Sequence, residues 1–313
     1  MARKVIIDCD PGIDDAVALT LALFDPRLEV IAVTATAGSV SAEQAGRNVQ
    51  AVIEQLDPPR FPRVGTASPP DSSPGVDGRP IHGEDGLGNS GLQVSRLQHQ
   101  HPSEKILCDE VRAAPDQVTI LCLGPLTNVA RAFQRDPGVA SQIGRLVIAG
   151  GSVTAGGDVT AAAEFNMFCD PESARQVFRA PITKTVVPLD VTRHLSFNLG
   201  LMQVLPREFT RAGQFLRRIL PHAFRSYHQH LGQESIQLQA VVAWLVVVHP
   251  ELFRMVDMEG DVETRGELTL GTTIFDRRRQ AAARSNLEVA LDAKSNDAHR
   301  AVERGLDLAG QST

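Results

Sequence analysis

The stretch KVIIDCDPGIDDAVALTLALF, Lys4 to Phe24, contains a strand, a turn and the start of a helix. Val5, Ile6 and Ile7 form an apolar run that reads as a first strand. Pro11–Gly12 marks a tight turn. From Asp14 onward the apolar residues recur at helical spacing, with two acids in the first turn. Four aspartates, Asp8, Asp10, Asp14 and Asp15, lie within this strand-to-helix junction, and no Lys or Arg sits among them.

The same rhythm continues outward. EVIAVTATAG, residues 29–38, reads as a strand ending in Gly38. SAEQAGRNVQAVIEQL, 41–56, is an amphipathic helix with Ser41 as its N-cap. VTILCL, 118–123, is a buried strand, followed by a helix in PLTNVARAF that opens on Pro125. RLVIAGG is a strand, DPESARQVF a helix, and TKTVVPL another strand. Such alternation predicts an α/β fold with an open, mostly parallel sheet, a Rossmann-like core flanked by helices on both faces. Ligands of such sheets sit at the carboxyl ends of the strands. Asp8–Asp10, Gly38–Ser39, Leu123–Gly124 and Gly150–Gly151 all fall at such ends.

The chain of 313 residues is long enough for a sizeable core, and its composition is that of a globular protein, 42% hydrophobic and 22% charged. A net charge of -6 argues against a nucleic-acid surface. No apolar run is long enough to span a membrane, and the apolar run before Asp8 is too short for a signal-peptide core. Cys9, Cys108, Cys122 and Cys169 form no zinc or redox spacing and read as buried, reduced thiols of a cytoplasmic protein. The whole chain, 1–313, reads as one domain. A Pro-, Gly- and Ser-rich segment runs from Asp57 to Gly91, with a short strand near Arg63–Thr66 and a long loop over 67–91. A mostly helical flank covers 206–248. A short β region is expected at DVETRGELTLGTTIFD, 261–276, and a final helix from Asn296.

Clustered carboxylates repel and raise one another's pKa unless a cation lies between them. An all-oxygen set without Cys or His points to a hard cation, Ca²⁺ or Mg²⁺. The spacing is not that of an EF-hand: the twelfth position counted from Asp8 is Leu19, where a bidentate Glu is needed. Two other readings exist. Asp14 and Asp15 could merely complement a helix dipole. An Asp-x-Asp after the first strand also occurs in phosphatases of the haloacid dehalogenase type, but Pro-Gly and the second Asp pair do not suit them.

The run DxDPGxDDxxA resembles the signature of the nucleoside hydrolases, the inosine–uridine-preferring N-ribohydrolases. IHGEDGLG, LGPLTNVA, AEFNMFCDPESA and GDVETRGELTLG resemble further family segments in the same order. The resemblance spans Lys4 to Arg279. It implies a Ca²⁺ ion at the pocket floor, with Asp10, Asp15 and the carbonyl of Leu123 as ligands. It further implies Asp10 as general base toward water, Asp14 as a ribose holder and Asp8 as a partner behind them. Glu164 and Asn166 would bond the ribose hydroxyls, and His82 would sit in a mobile loop near the base. Asn128 reads instead as a residue satisfying backbone within its own helix. The implied reaction is hydrolysis of the N-glycosidic bond of a ribonucleoside, in purine or pyrimidine salvage, by a homodimer or homotetramer.

The sequence also departs from the family pattern. Ser39 stands where an Asn is usual, and Asp158 where another Asn precedes AEFN. The family's late-helix His-Asp pair aligns with Gln239–Ala240 in SIQLQAVVAWLVVVHPELF. No Asp or Glu lies between Ile236 and His249. His228, His230 and Tyr227 are the nearby groups that could compensate. The alternative reading is a catalytically impaired homologue that binds nucleoside or ribose.

Overall fold

A computed structural model describes residues 2–95, 101–278 and 285–311. Twelve strands are formed among them. They are β1 (Arg3–Cys9), β2 (Leu28–Ala35), β3 (Arg63–Thr66), β4 (His101–Pro102), β5 (Val118–Cys122), β6 (Arg145–Ala149), β7 (Lys184–Val187), β8 (Ser196–Asn198), β9 (Ser235–Gln237), β10 (Phe253–Val262), β11 (Thr273–Asp276) and β12 (Leu287–Ala293). Ten form one sheet in the order β11-β10-β12-β7-β6-β5-β1-β2-β3-β4, while β8 and β9 pair separately. From β12 to β4 every pairing is parallel; β10 is antiparallel to both β11 and β12. The α/β architecture expected from the sequence is therefore present.

The strand order reverses around β1, which has β2 on one side and β5 on the other. The chain runs outward from β1 through β2, β3 and β4 and then crosses back to β5 on the other side of β1, so a crevice opens at the carboxyl ends of β1, β2 and β5. This is where the acidic turn lies.

Eleven helices are described: α1 (Ile13–Phe24), α2 (Ala42–Leu56), α3 (Arg79–His82), α4 (Ser103–Ala113), α5 (Thr127–Arg135), α6 (Phe165–Cys169), α7 (Pro171–Arg179), α8 (Leu189–Thr192), α9 (Arg211–Ser226), α10 (Gln239–Val248) and α11 (Ser295–Gln311). Alternate residues of β1 explain the layering. Val5, Ile7 and Cys9 enter the core built with α1, α2, α9, α10 and α11. Ile6 enters the opposite core, built with α4, α5 and α7. The helix α10 is apolar all round because it is enclosed, and Trp244, the one tryptophan of the chain, is fully buried there beside Gly305 of α11.

Some segments differ from the sequence reading. Only the two ends of 261–276 are strand: β10 starts earlier, at Phe253, and residues 263–272 form a turn before β11. β12 was not legible, because its residues alternate with Glu and Asp at the sheet's antiparallel end. Within 206–248, β9 interrupts the helices. No described helix is long and apolar enough to cross a membrane.

Candidate active site

Asp10 leaves the end of β1 and enters the crevice almost wholly buried, at 3% exposure. Its Oδ2 accepts the Ser39 backbone N–H at 2.6 Å. Gly38 and Gly124 close in from either side. A Cβ on Gly38 would lie 2.1 Å from Asp10 Oδ2, and one on Gly124 would lie 2.4 Å from Oδ1. Neither position can carry a side chain without moving the carboxylate. Burial raises the Asp10 pKa to about 7, against the opposing hydrogen bonds from Ser39 and with Asp14 adding to the rise.

Asp15, on the first turn of α1, is equally buried. Burial pushes its pKa well up, and the charges of Asp10 and Asp14 push further. Among the described residues, neither carboxyl forms a salt bridge. Asp14 is less enclosed, and its Oδ2 accepts the Ala240 backbone N–H at 3.3 Å. The amino end of α10 therefore abuts the acidic turn, at the place where the sequence lacks a carboxylate.

Asp8 points to the other face of the sheet. Its Oδ1 accepts from Thr34 Oγ1 at 2.6 Å and from Asn128 Nδ2 at 2.8 Å, while Oδ2 is buried without a partner. Burial raises its pKa to about 7. Asn128 also donates to the carbonyl of Ala35 at 2.7 Å. It thus ties α5 to β1 and β2 rather than satisfying its own helix, which corrects the sequence reading of that residue.

The opposite wall comes from the β6–α6 connection. Glu164 caps α6: its Oε2 accepts from Met167 N at 3.2 Å and Gly151 N at 2.9 Å, and its Oε1 is buried without a partner. Burial, then the charge of Asp158, raises its pKa to about 8. Asn166 Nδ2 donates to the carbonyls of Leu123 at 2.7 Å and Ala149 at 3.1 Å. Its Oδ1 is thereby turned away from those carbonyls and can accept a hydroxyl. Asp158 stands at the rim, accepting from Phe165 N at 2.8 Å and from Gln239 Nε2 at 3.4 Å.

The histidines divide. His82 lies at the end of α3 against the acidic turn, its Nδ1 accepting the Ile13 N–H at 3.1 Å. That bond requires an unprotonated Nδ1, so the neutral ring carries its proton on Nε2. Burial lowers its pKa in the same sense. His228 bonds Glu234 at the surface and His230 is exposed, so neither faces the crevice. Tyr227 lies inward, its hydroxyl donating to the Gln237 carbonyl at 3.1 Å. His222 of α9, which the sequence reading missed, has a buried Nε2 without a partner and lies against Gly88. A cleft of about 540 Å³ borders Gly38, Ser39 and Cys169 beneath residues 73–79.

Among the described residues, no three His, Cys, Asp or Glu side chains are grouped to hold a metal ion. The donors at the turn nevertheless suit a hard cation. Asp10 and Asp15 offer two buried carboxyls, and the Leu123 carbonyl has a second lone pair beyond the one taken by Asn166. This is a sparse oxygen set, short by the carboxylate absent at Ala240.

Comparison with known proteins places the chain in a family. The family described as inosine-uridine preferring nucleoside hydrolase matches residues 5–300. The pyrimidine-specific ribonucleoside hydrolase RihA of Klebsiella pneumoniae is 34% identical over 303 residues, covering 93% of this chain and 94% of that protein. The non-specific ribonucleoside hydrolase RihC of Escherichia coli O6:H1 is 36% identical over 293 residues, covering 93% and 94%. A purine-preferring ribonucleoside hydrolase structure from Gardnerella vaginalis superposes with a TM-score of 0.91 at 27% identity, covering 99% of this chain and 100% of that one. The chain belongs to the inosine–uridine preferring nucleoside hydrolase family, and is an enzyme of the N-glycosyl hydrolase type.

Proposed function

We propose that this chain hydrolyses the C1′–N bond of ribonucleosides, with Ca²⁺ held by Asp10, Asp15 and the carbonyl of Leu123. The observation that carries the reading is the buried Asp10–Asp15 pair at the switch point of the sheet, where among the described residues neither carboxyl forms a salt bridge. Bound Ca²⁺ would supply a Lewis acid that grips the ribose diol and lowers the pKa of the attacking water. Asp10, held by Ser39, accepts that water's proton. Asp14 and Asn166 Oδ1 accept ribose hydroxyls, and Glu164 fixes the wall beside them. The carboxylates stabilise the positive charge that develops on the sugar as the bond breaks.

Help for the departing base is weaker. At the late-helix position Gln239 offers only an amide, already shared with Asp158. Hydrolysis of a nitrophenyl riboside, which needs no leaving-group acid, is therefore expected to exceed that of inosine or uridine by about 10²–10⁴-fold in kcat. A Ca²⁺ titration with both substrates tests the proposal. Turnover that persists after chelation, or equal rates on the two substrates, would count against it. The relatives differ in base preference, so the proposal concerns ribose chemistry rather than one base. A cytoplasmic homodimer or homotetramer is the accompanying expectation, and sedimentation reads the assembly.

The reduced carboxylate count favours weak calcium binding. Restoring the pair with Gln239→His and Ala240→Asp is expected to tighten Ca²⁺ about tenfold and to raise hydrolysis. The added charge beside Asp14 should also lower the melting temperature of the calcium-free protein, with recovery on adding calcium. Calorimetry and steady-state rates check both; no change in either would place residue 240 outside the cation's reach.

A further inference from the structure

We propose that Asn48 and His82 are positioning residues that clamp the Pro11–Gly12 turn at its two flanks, the Pro11 carbonyl and the Ile13 N–H, and so fix where Asp10, Asp14 and Asp15 point. The inference rests on the reading that these carboxylates form the working site. Asn48, on α2, is 3% exposed. Its Nδ2 donates to the Pro11 carbonyl at 3.0 Å and to the Asp85 carbonyl at 2.8 Å, and its Oδ1 accepts from Gln44 Nε2 at 2.8 Å. With carbonyls on the nitrogen side and a donor on the oxygen side, the amide has one orientation.

Past the turn, His82 accepts the Ile13 N–H. Ile13 is the first residue of α1, and the N-cap residue Gly12 has no side chain to serve that end. The cap therefore comes from a residue distant in sequence. The fit is close: a Cβ on Gly12 would lie 2.8 Å from the imidazole.

The segment that brings His82 is itself anchored. Asp85 accepts from Leu87 N at 2.8 Å, Asn89 N at 2.8 Å and Gly91 N at 3.1 Å. Arg218 of α9 reaches the Ser90 carbonyl, and Gly88 seats on His222. Residues 79–91 thus form a brace between α2, α9 and the acidic turn. The Asp85 carbonyl, held by the same Asn48 amide that holds Pro11, makes brace and turn one unit.

The test uses the full chain carrying Asn48→Ala, His82→Ala, His82→Asn, or both alanine changes, each checked for melting. Two readouts are taken: hydrogen exchange of the Asp8–Ala18 segment, and calcium-dependent hydrolysis of a nitrophenyl riboside. Either alanine variant is expected to speed exchange of that segment about tenfold, leaving β6 and β7 unchanged. Each is expected to lower kcat about tenfold while KM moves by less than about threefold. The double variant should lose less than the product of the singles, because either loss alone frees the turn. His82→Asn should retain activity within about threefold, since its amide oxygen can accept the Ile13 N–H.

Unchanged exchange in both alanine variants would overturn the clamp. So would multiplicative losses in the double variant. A loss on inosine that spares the nitrophenyl riboside would also overturn it, because that pattern marks His82 as a leaving-group acid. If the parent itself shows no turnover, the functional reading fails instead, and exchange alone decides the clamp. His82 is only partly buried, so its variants keep the test open if Asn48→Ala does not fold.

Discussion

Asp10→Asn is expected to lower kcat/KM for a nitrophenyl riboside by about 10³–10⁴, equal to roughly 4–5 kcal/mol of barrier. The substitution removes the proton acceptor and one of two carboxylates offered to the cation, while keeping an oxygen for the Ser39 N–H. Stability should move the other way. The Asp10 carboxyl has its pKa raised on folding from 3.8 to about 7, so stability falls as pH rises between those two values and the loss is complete above about 7. Asn cannot ionise. The calcium-free variant should therefore melt above the parent at pH 8, with the gap narrowing as pH falls and closing below about pH 4. An activity loss under about tenfold would show that Asp10 is not the general base, and a variant that melts well below the parent at pH 8 would show that the Asp10 carboxylate is not destabilising.

Gly38→Ala and Gly124→Ala should each cost about 10²-fold in kcat/KM, although neither residue bears a functional group. The obstacle is the nearly buried Asp10 carboxylate itself, which a methyl at either position would meet at 2.1 Å or 2.4 Å. Asp has a short side chain and this one is tied to Ser39, so it can only swing out of line. At Gly124 the methyl would also lie 2.8 Å from Thr36 Cγ2, and at Gly38 it would lie 2.9 Å from Pro125 Cδ. Overpacking of this kind costs about 1–3 kcal/mol of stability. Rates and melting curves of the two variants check this; near-parental activity in both would mean that the carboxylate is not held between these glycines.

Much of this arrangement could be read from local patterns. The alternation of strand and helix located the sheet, and strand ends marked by Gly38, Gly124 and Gly150 indicated where its crevice opens. The apolar run that carries Gln239–Ala240 was legible as a helix, and α10 starts at Gln239 with the Ala240 N–H on Asp14. What could not be read depends on pairs distant in sequence. Asn128 looked like an intrahelical residue because its partners, Asp8 and Ala35, lie on strands far away along the chain. His228 and His230 were as eligible as Tyr227 from spacing alone, and only the course of the chain after α9 turns Tyr227 inward. Asn48 carried no signal at all: on an amphipathic helix it reads as one polar residue among several.

The enclosure of Trp244 makes the protein its own optical probe. With a single indole in the chain, all tryptophan emission arises from one point on α10, little more than one turn beyond the Gln239–Ala240 end that meets Asp14. Its fluorescence in the folded state should be blue-shifted by the dry surroundings, and any change in how α10 seats against the acidic turn would appear in that one band without a label.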